Sequence, residues 1–100
     1  MSNDTVYVLL DVTVKNRDKF MEYVEGHRPS FQQYGGTLLF RSNDMEPIEG
    51  NWSPKLLVVH EWPSELAFRQ WDDSAEYAPW KKLRKEAMEM NMVLARKMQG

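Results

Sequence analysis

Two histidines, His27 and His60, are the only side chains here whose ordinary titration falls near neutral pH. His60 sits in the alternating run LLVVHEW. It reads as a hydrogen-bonded, partly buried strand residue, with a cavity acid or base and then a metal ligand as the alternatives. Glu61 beside it is no partner, because neighbouring strand residues point to opposite faces. His27 recurs with Phe20, Val24 and Phe31 at helical spacing and reads as a packing or helix-end residue. Asp11 interrupts the apolar Tyr7 and Leu9 face of a strand. A carboxylate in a partly closed cavity has a raised pKa and can accept a proton. His60 and Asp11 are therefore the expected catalytic residues, and a salt bridge from Asp11 to Arg41 is the structural alternative.

Arg41 can hold an anionic substrate through paired hydrogen bonds. Trp71, Tyr77, Trp80 and Arg84 complete the expected substrate-binding group. Tyr77 and Arg84 share a face if their helix is continuous. Tyr77 and Trp80 would then line a pocket mouth while Arg84 neutralises an acid. The competing reading has the aromatics filling a small core and Arg84 bonding Glu49 or backbone carbonyls.

Other chemistries are excluded or unsupported. The chain has no cysteine, which removes disulfides, thiol nucleophiles and Cys-based zinc sites. There is no Gly-rich phosphate loop, Walker motif, nucleophile elbow or metal-ligand spacing, so no metal and no cofactor is expected. Ser64 and Ser74 read as helix caps. The formal net charge is −2. The basic cluster Lys81, Lys82, Arg84 and Lys85 is followed by Glu86 and Glu89, as on a solvated helix face. No nucleic-acid partner is expected, although Tyr7 could imitate a stacking platform. No apolar run approaches the roughly 20 residues that cross a bilayer, and MSNDTVYVLL has no basic leader. The expectation is a cytoplasmic protein with no membrane partner.

The elements that must position these residues follow from periodicity. Val6, Val8, Leu10, Val12 and Val14 alternate with Tyr7, Leu9, Asp11 and Thr13, which predicts a strand with neither face simply solvated. Asn16 caps a helix through Phe31, with a kink or restart expected at Gly26–Pro29. The Gly35–Gly36 pair forms a helix-to-strand corner. Thr37–Arg41 and Lys55–Trp62 are expected to pair as an antiparallel hairpin across a polar loop. Ser64 opens a short helix, and Ser74 a second carrying Trp80, Leu83, Ala87 and Met90. The last strand is expected over Asn91–Met98, at an edge.

The order is βαββαβ, one domain over residues 1–100. The predicted fold class is α+β and ferredoxin-like, with a four-stranded antiparallel sheet and helices on one face. The other face would be an exposed apolar patch. A homodimer packing sheet against sheet would cover it, giving a dimeric α+β barrel with a cavity between subunits or beside each sheet.

The segment from Tyr23 to Tyr77 resembles the small bacterial proteins grouped as domain-of-unknown-function family 1330, and the resemblance extends over almost the whole chain. The matching elements are YGG at Tyr34–Gly36, EGNW at Glu49–Trp52, Pro54, EWPS at Glu61–Ser64, Ala67, Trp71, SAEY at Ser74–Tyr77, and Arg84. The family more often has phenylalanine where Trp62 stands and an aliphatic residue where His60 stands. The resemblance implies the dimeric α+β barrel fold of small monooxygenases and related enzymes, and no agreed activity; because related barrels bind haem, it also implies a haem-ligand role as the alternative for His27. The expected function is a dimer that binds or transforms a small organic molecule, acidic or aromatic, by proton transfer or cofactor-free oxygenation. The alternative is a noncatalytic structural or regulatory dimer.

Overall fold

The alternation that begins at Val6 is realised as strand β1 (Val6–Val14), a central strand of a four-stranded antiparallel sheet. The structure is a computed structural model and describes residues 4–99; the first three residues of the N-terminal stretch read above lie outside it. β1 is flanked by β3 (Leu56–Trp62) and β4 (Met88–Arg96), and β2 (Thr37–Ser42) pairs with β3. Val8 lies opposite His60 and Leu94, and Leu10 opposite Val58 and Met92. Because side chains alternate, this register gathers the even-numbered residues of three strands on one face. Val6, Val8, Leu10, Val12, Trp62 and Met88 from that face are buried.

Three helices cover that face: α1 (Arg17–Gln33), α2 (Glu65–Asp72) and α3 (Ala78–Ala87). Asn16 Oδ1 accepts from Lys19 N at 3.0 Å, and Ser64 Oγ from Ala67 N at 3.1 Å. Each satisfies an otherwise unpaired donor of the first turn. Ser74 Oγ accepts from Tyr77 N at 3.1 Å, capping the turn that leads into α3. No helix among the described residues is long and apolar enough to cross a membrane.

Three expectations change. The break at Gly26–Pro29 does not occur: α1 runs through Pro29. Glu25, whose carbonyl loses its donor to the proline ring, is exposed, as is Pro29 itself. Water can therefore replace the lost bond. The last strand starts at Met88, earlier than expected. The Ala87 carbonyl accepts from both Lys15 N and Asn16 N, which pins the end of α3 beside the end of β1. Met88 then enters the ladder opposite Val14, and the period-two pattern of Met88, Met90 and Met92 prevails over the helical one.

The third correction is to the barrel. The sheet is open and not closed into a barrel: its order is β2-β3-β1-β4, so β2 and β4 form opposite edges and do not pair. The molecule measures 37 × 37 × 16 Å, the shape of a two-layer slab. Closure requires tilted, staggered strands that bring the two edges together, and here the helices packed on one face leave the edges apart.

Close approach of α1 and α3 depends on Gly26. Trp80 of α3 lies against it, and a Cβ at that position would collide with the indole ring. Glycine to alanine normally favours a helix. Here Gly26→Ala should instead destabilise the fold by about 1–3 kcal/mol, the usual range for overpacking. Urea denaturation reads this directly, and an unchanged or raised midpoint would refute the contact.

Candidate functional site

Between α1 and the sheet lies a cavity of about 530 Å³, lined by residues of all four strands. Its apolar walls come from both layers, with Phe20 and Phe31 on α1 and Leu10, Val12 and Val58 on the sheet. Its polar lining consists chiefly of Tyr23, His27, Arg28, Arg41 and His60. An adjoining lobe of about 730 Å³ shares Val12, Phe20, Arg41 and Leu56 with it and adds Arg17 and Lys55. No aspartate or glutamate lines either space. Among the described residues, Arg17, Arg28, Arg41 and Lys55 take part in none of the ion pairs. A net-negative chain thus concentrates unpaired positive charge along one apolar hollow.

Arg41 faces this hollow because of a bulge. Leu38 is opposite His60 but Phe40 is opposite Val59, so Leu39 is an extra residue in β2. The insertion reverses the alternation beyond it. Arg41 therefore stands opposite Val58 on the helix side, where it lines both lobes.

The two histidines are fixed in opposite tautomers. His27 Nδ1 lies 2.9 Å from the backbone carbonyl of Tyr23. A carbonyl only accepts, so Nδ1 carries the proton and the neutral ring presents a bare lone pair at Nε2. Trp62 Nε1 lies 2.9 Å from His60 Nδ1. An indole N–H only donates, so Nδ1 accepts and the proton of neutral His60 is on Nε2. Neither Nε2 has a protein partner among the described residues, yet no buried side-chain nitrogen or oxygen is left unpaired. Both free nitrogens therefore reach open space, which for these residues is the cavity they line.

Burial holds both rings neutral. Desolvation depresses His60 from 6.5 to about 4, and the neighbouring His27 pushes the same way. Protonating Nδ1 would also set two donors, His60 and Trp62, against each other. Burial lowers His27 too, against the partly offsetting bond to the Tyr23 carbonyl. The rings share aromatic neighbours: Phe31 is 5.7 Å from His27 and 5.1 Å from His60, centroid to centroid. Tyr23 stacks on His27 at 4.5 Å.

Behind this wall is a denser network. The phenols of Tyr23 and Tyr77 are 2.6 Å apart, and Arg84 Nη1 donates to the Tyr77 oxygen at 3.0 Å. Burial raises the pKa of both phenols above the ordinary tyrosine value, and Arg84 opposes it. Trp71 stacks on Tyr77 at 3.8 Å, and its Nε1 donates to Ser30 Oγ at 3.1 Å. Ser30 Oγ donates in turn to the His27 carbonyl at 3.0 Å.

The expected site residues are thus distributed over four places. His60 and Arg41 both line the cavity. Trp71, Tyr77 and Arg84 form its supporting network, while Trp80 packs on Gly26. Asp11 is on the opposite face of the sheet, where its Oδ2 accepts from Trp52 Nε1 at 2.9 Å. Sequence reasoning passed over Tyr23, Arg28, Arg17 and Lys55, and read His27 as packing. One signal was available: Tyr23 and His27 are four residues apart and share a helix face with Phe20 and Phe31.

His60 makes a stability prediction. Between pH 6.5 and about 4, unfolding takes up a proton that the buried ring refuses, so stability is full above 6.5 and falls as pH is lowered through this window. The His60 contribution to the slope approaches about 1.4 kcal/mol per pH unit. Urea titrations at stepped pH should show a flatter dependence for His60→Gln than for the wild type; parallel curves would refute the assignment.

No curated relative matches the chain by sequence. Its fold is similar to that of a protein of unknown function from Rhodopseudomonas palustris, with TM-score 0.84 and 15% identity over 99% of this chain and 86% of that one. It is also similar to SnoaB, a cofactor-independent oxygenase from Streptomyces nogalater, with TM-score 0.71 and 15% identity over 97% and 96%. A dabb family protein with a ferredoxin-like fold from Mesorhizobium loti gives TM-score 0.70 at 9% identity over 95% and 98%. At these identities the likeness is one of fold. The sequence itself matches the model of a domain of unknown function, DUF1330, over residues 5–98, and the chain therefore belongs to that family.

Proposed function

We propose that the helix-side cavity binds a small organic acid with an apolar or aromatic body, and that the protein transforms it by proton transfer. One observation carries this reading: an apolar hollow of about 530 Å³ with Arg28 and Arg41 on its lining and no carboxylate. The volume suits a small molecule, and two exposed guanidinium groups at the rim of an apolar hollow, neither held in an ion pair among the described residues, can pair with an incoming anion. Loss of a proton from a bound carbon acid is the first step of isomerisation and of cofactor-free reaction with dioxygen. The shared fold with SnoaB, described as a cofactor-independent oxygenase, supports that class. Among the described residues, no group of three or more His, Asp or Glu is placed to hold a metal ion.

A second copy of the chain is the proposed partner for the open sheet face. Phe40 and Val93 there are 50% and 59% exposed, large apolar side chains on a face that no helix covers.

Phenylacetate and its neutral amide, titrated by tryptophan fluorescence, test the cavity reading. The acid should bind at least about ten-fold tighter than the amide, and Arg41→Ala should remove most of that difference, as expected for a charged hydrogen bond worth about 1.5–3 kcal/mol. Equal affinities for acid and amide would favour the noncatalytic alternative. For the partner, Leu9→Asp should convert a dimer to a monomer in sedimentation velocity. A wild-type chain that sediments as a monomer would end that part of the proposal.

A further inference from the structure

The cavity holds one imidazole that can only accept at its free nitrogen and one that can only donate. Each polarity is set by a partner outside the cavity contact: the Tyr23 carbonyl for His27, the Trp62 indole for His60. Two histidines with interchangeable tautomers would carry no such assignment. Here a buried carbonyl and a fully buried indole N–H hold each ring in one form, and both rings line the same cavity as Arg41.

We propose that His27 and His60 form an enolisation pair for a bound oxo acid, with His27 Nε2 as the base and His60 Nε2–H as the hydrogen-bond donor to the carbonyl oxygen. This rests on the organic-acid reading of the cavity and adds the reaction to it. The substrate class is a carboxylic acid that also carries a ketone or aldehyde with an acidic C–H beside it. Arg41 holds the carboxylate. His27 Nε2 takes the proton as the C–H bond breaks. The electron pair forms a C=C bond and the carbonyl π pair moves to oxygen, giving an enolate whose oxygen accepts from His60 Nε2–H. His60 keeps its proton, because a neutral imidazole serves as a donor without becoming an anion. The His27 imidazolium then returns its proton to the oxygen, giving the enol, or to carbon, giving back the oxo acid or its isomer. Atoms and electrons balance with no oxidant or further reactant.

The remaining polar groups fit these roles. Arg28 from α1 and Arg41 from β2 place positive charge around the pair, which favours both the neutral base and the enolate. Tyr23 stacks on His27 and stays a neutral phenol, with Tyr77 and Arg84 behind it. Glu61 lies on the opposite face of the sheet from His60, so no carboxylate in β3 competes for the proton. Burial lowers the pKa of His27 below the ordinary imidazole value, which favours the free base.

The test uses phenylpyruvate and the intact chain in deuterium oxide, following loss of the C3 proton signals by NMR. Exchange should exceed the buffer rate, and His27→Gln and His60→Leu should each lower the protein-catalysed rate by about 100-fold, the scale of a lost base or oxyanion donor. Phenylacetate, which lacks the ketone, should still bind both variants. The wild-type rate should hold below pH 6.5 and fall only as His27 is protonated. Phenylpyruvate binding with exchange at the buffer rate would overturn the enolisation pair and leave the organic-acid cavity standing; failure of both acids to bind would overturn both. A second measurement needs no variant: ring nitrogen NMR should show His27 as the Nδ1–H tautomer and His60 as Nε2–H, and the reverse for either ring overturns the proposal.

Discussion

The bond between Trp62 and His60 is the contact on which the arrangement turns. Strand β3 places both side chains under the helices, where an indole N–H and an imidazole would each pay heavily if left alone. They satisfy one another at 2.9 Å. Trp62 can then be fully buried at the centre of an aromatic cluster that includes Phe31, Phe68 and Trp71. The same bond uses the inner nitrogen of His60 and leaves its outer one as a donor toward the cavity. Core packing and site chemistry are set by one interaction.

The core is uneven, and the unevenness makes the site. Beneath α2 and α3 the packing is dense, with Trp71 stacked on Tyr77 and Tyr77 fully buried. Beneath α1 the layers part and leave room. Phe31 stands at the boundary, edge-on to Trp62 and Trp71 on one side and to His60 and His27 on the other. Gly36 allows this, since a Cβ there would strike the Phe31 ring. A rigid aromatic wall on one side and a positively charged edge on the other is the division expected of a preorganised small-molecule pocket.

The opposite face of the sheet has a different character. Val59 is buried there, while Phe40 and Val93 are half exposed or more, and Trp52 crosses from the β2–β3 loop to bond Asp11. Exposed apolar strands beside open edges are a surface that natural sheets cover. Asp11, read from the sequence as a proton acceptor, serves on this face as the acceptor that holds the loop tryptophan. Its position follows from strand parity alone: odd-numbered residues of β1 point away from the helices.

Local signals determined the element order, the caps at Asn16 and Ser64, the Gly35 corner and the face on which Val8 and His60 lie. Each depends on the preferences of a few adjacent residues or on a fixed period of two or near four, so one chain suffices to read it. The openness of the sheet, the end of α3 at Ala87 and the direction of Arg41 were decided by tertiary structure. They rest on pairings between residues far apart in the chain: the two edges that do not meet, the Ala87 carbonyl on Lys15 and Asn16, and the extra residue Leu39 measured against β3. The histidines divide the same way. Their placement on inward faces was legible from spacing, whereas which nitrogen each keeps free depends on a carbonyl and an indole N–H whose directions only the folded chain defines.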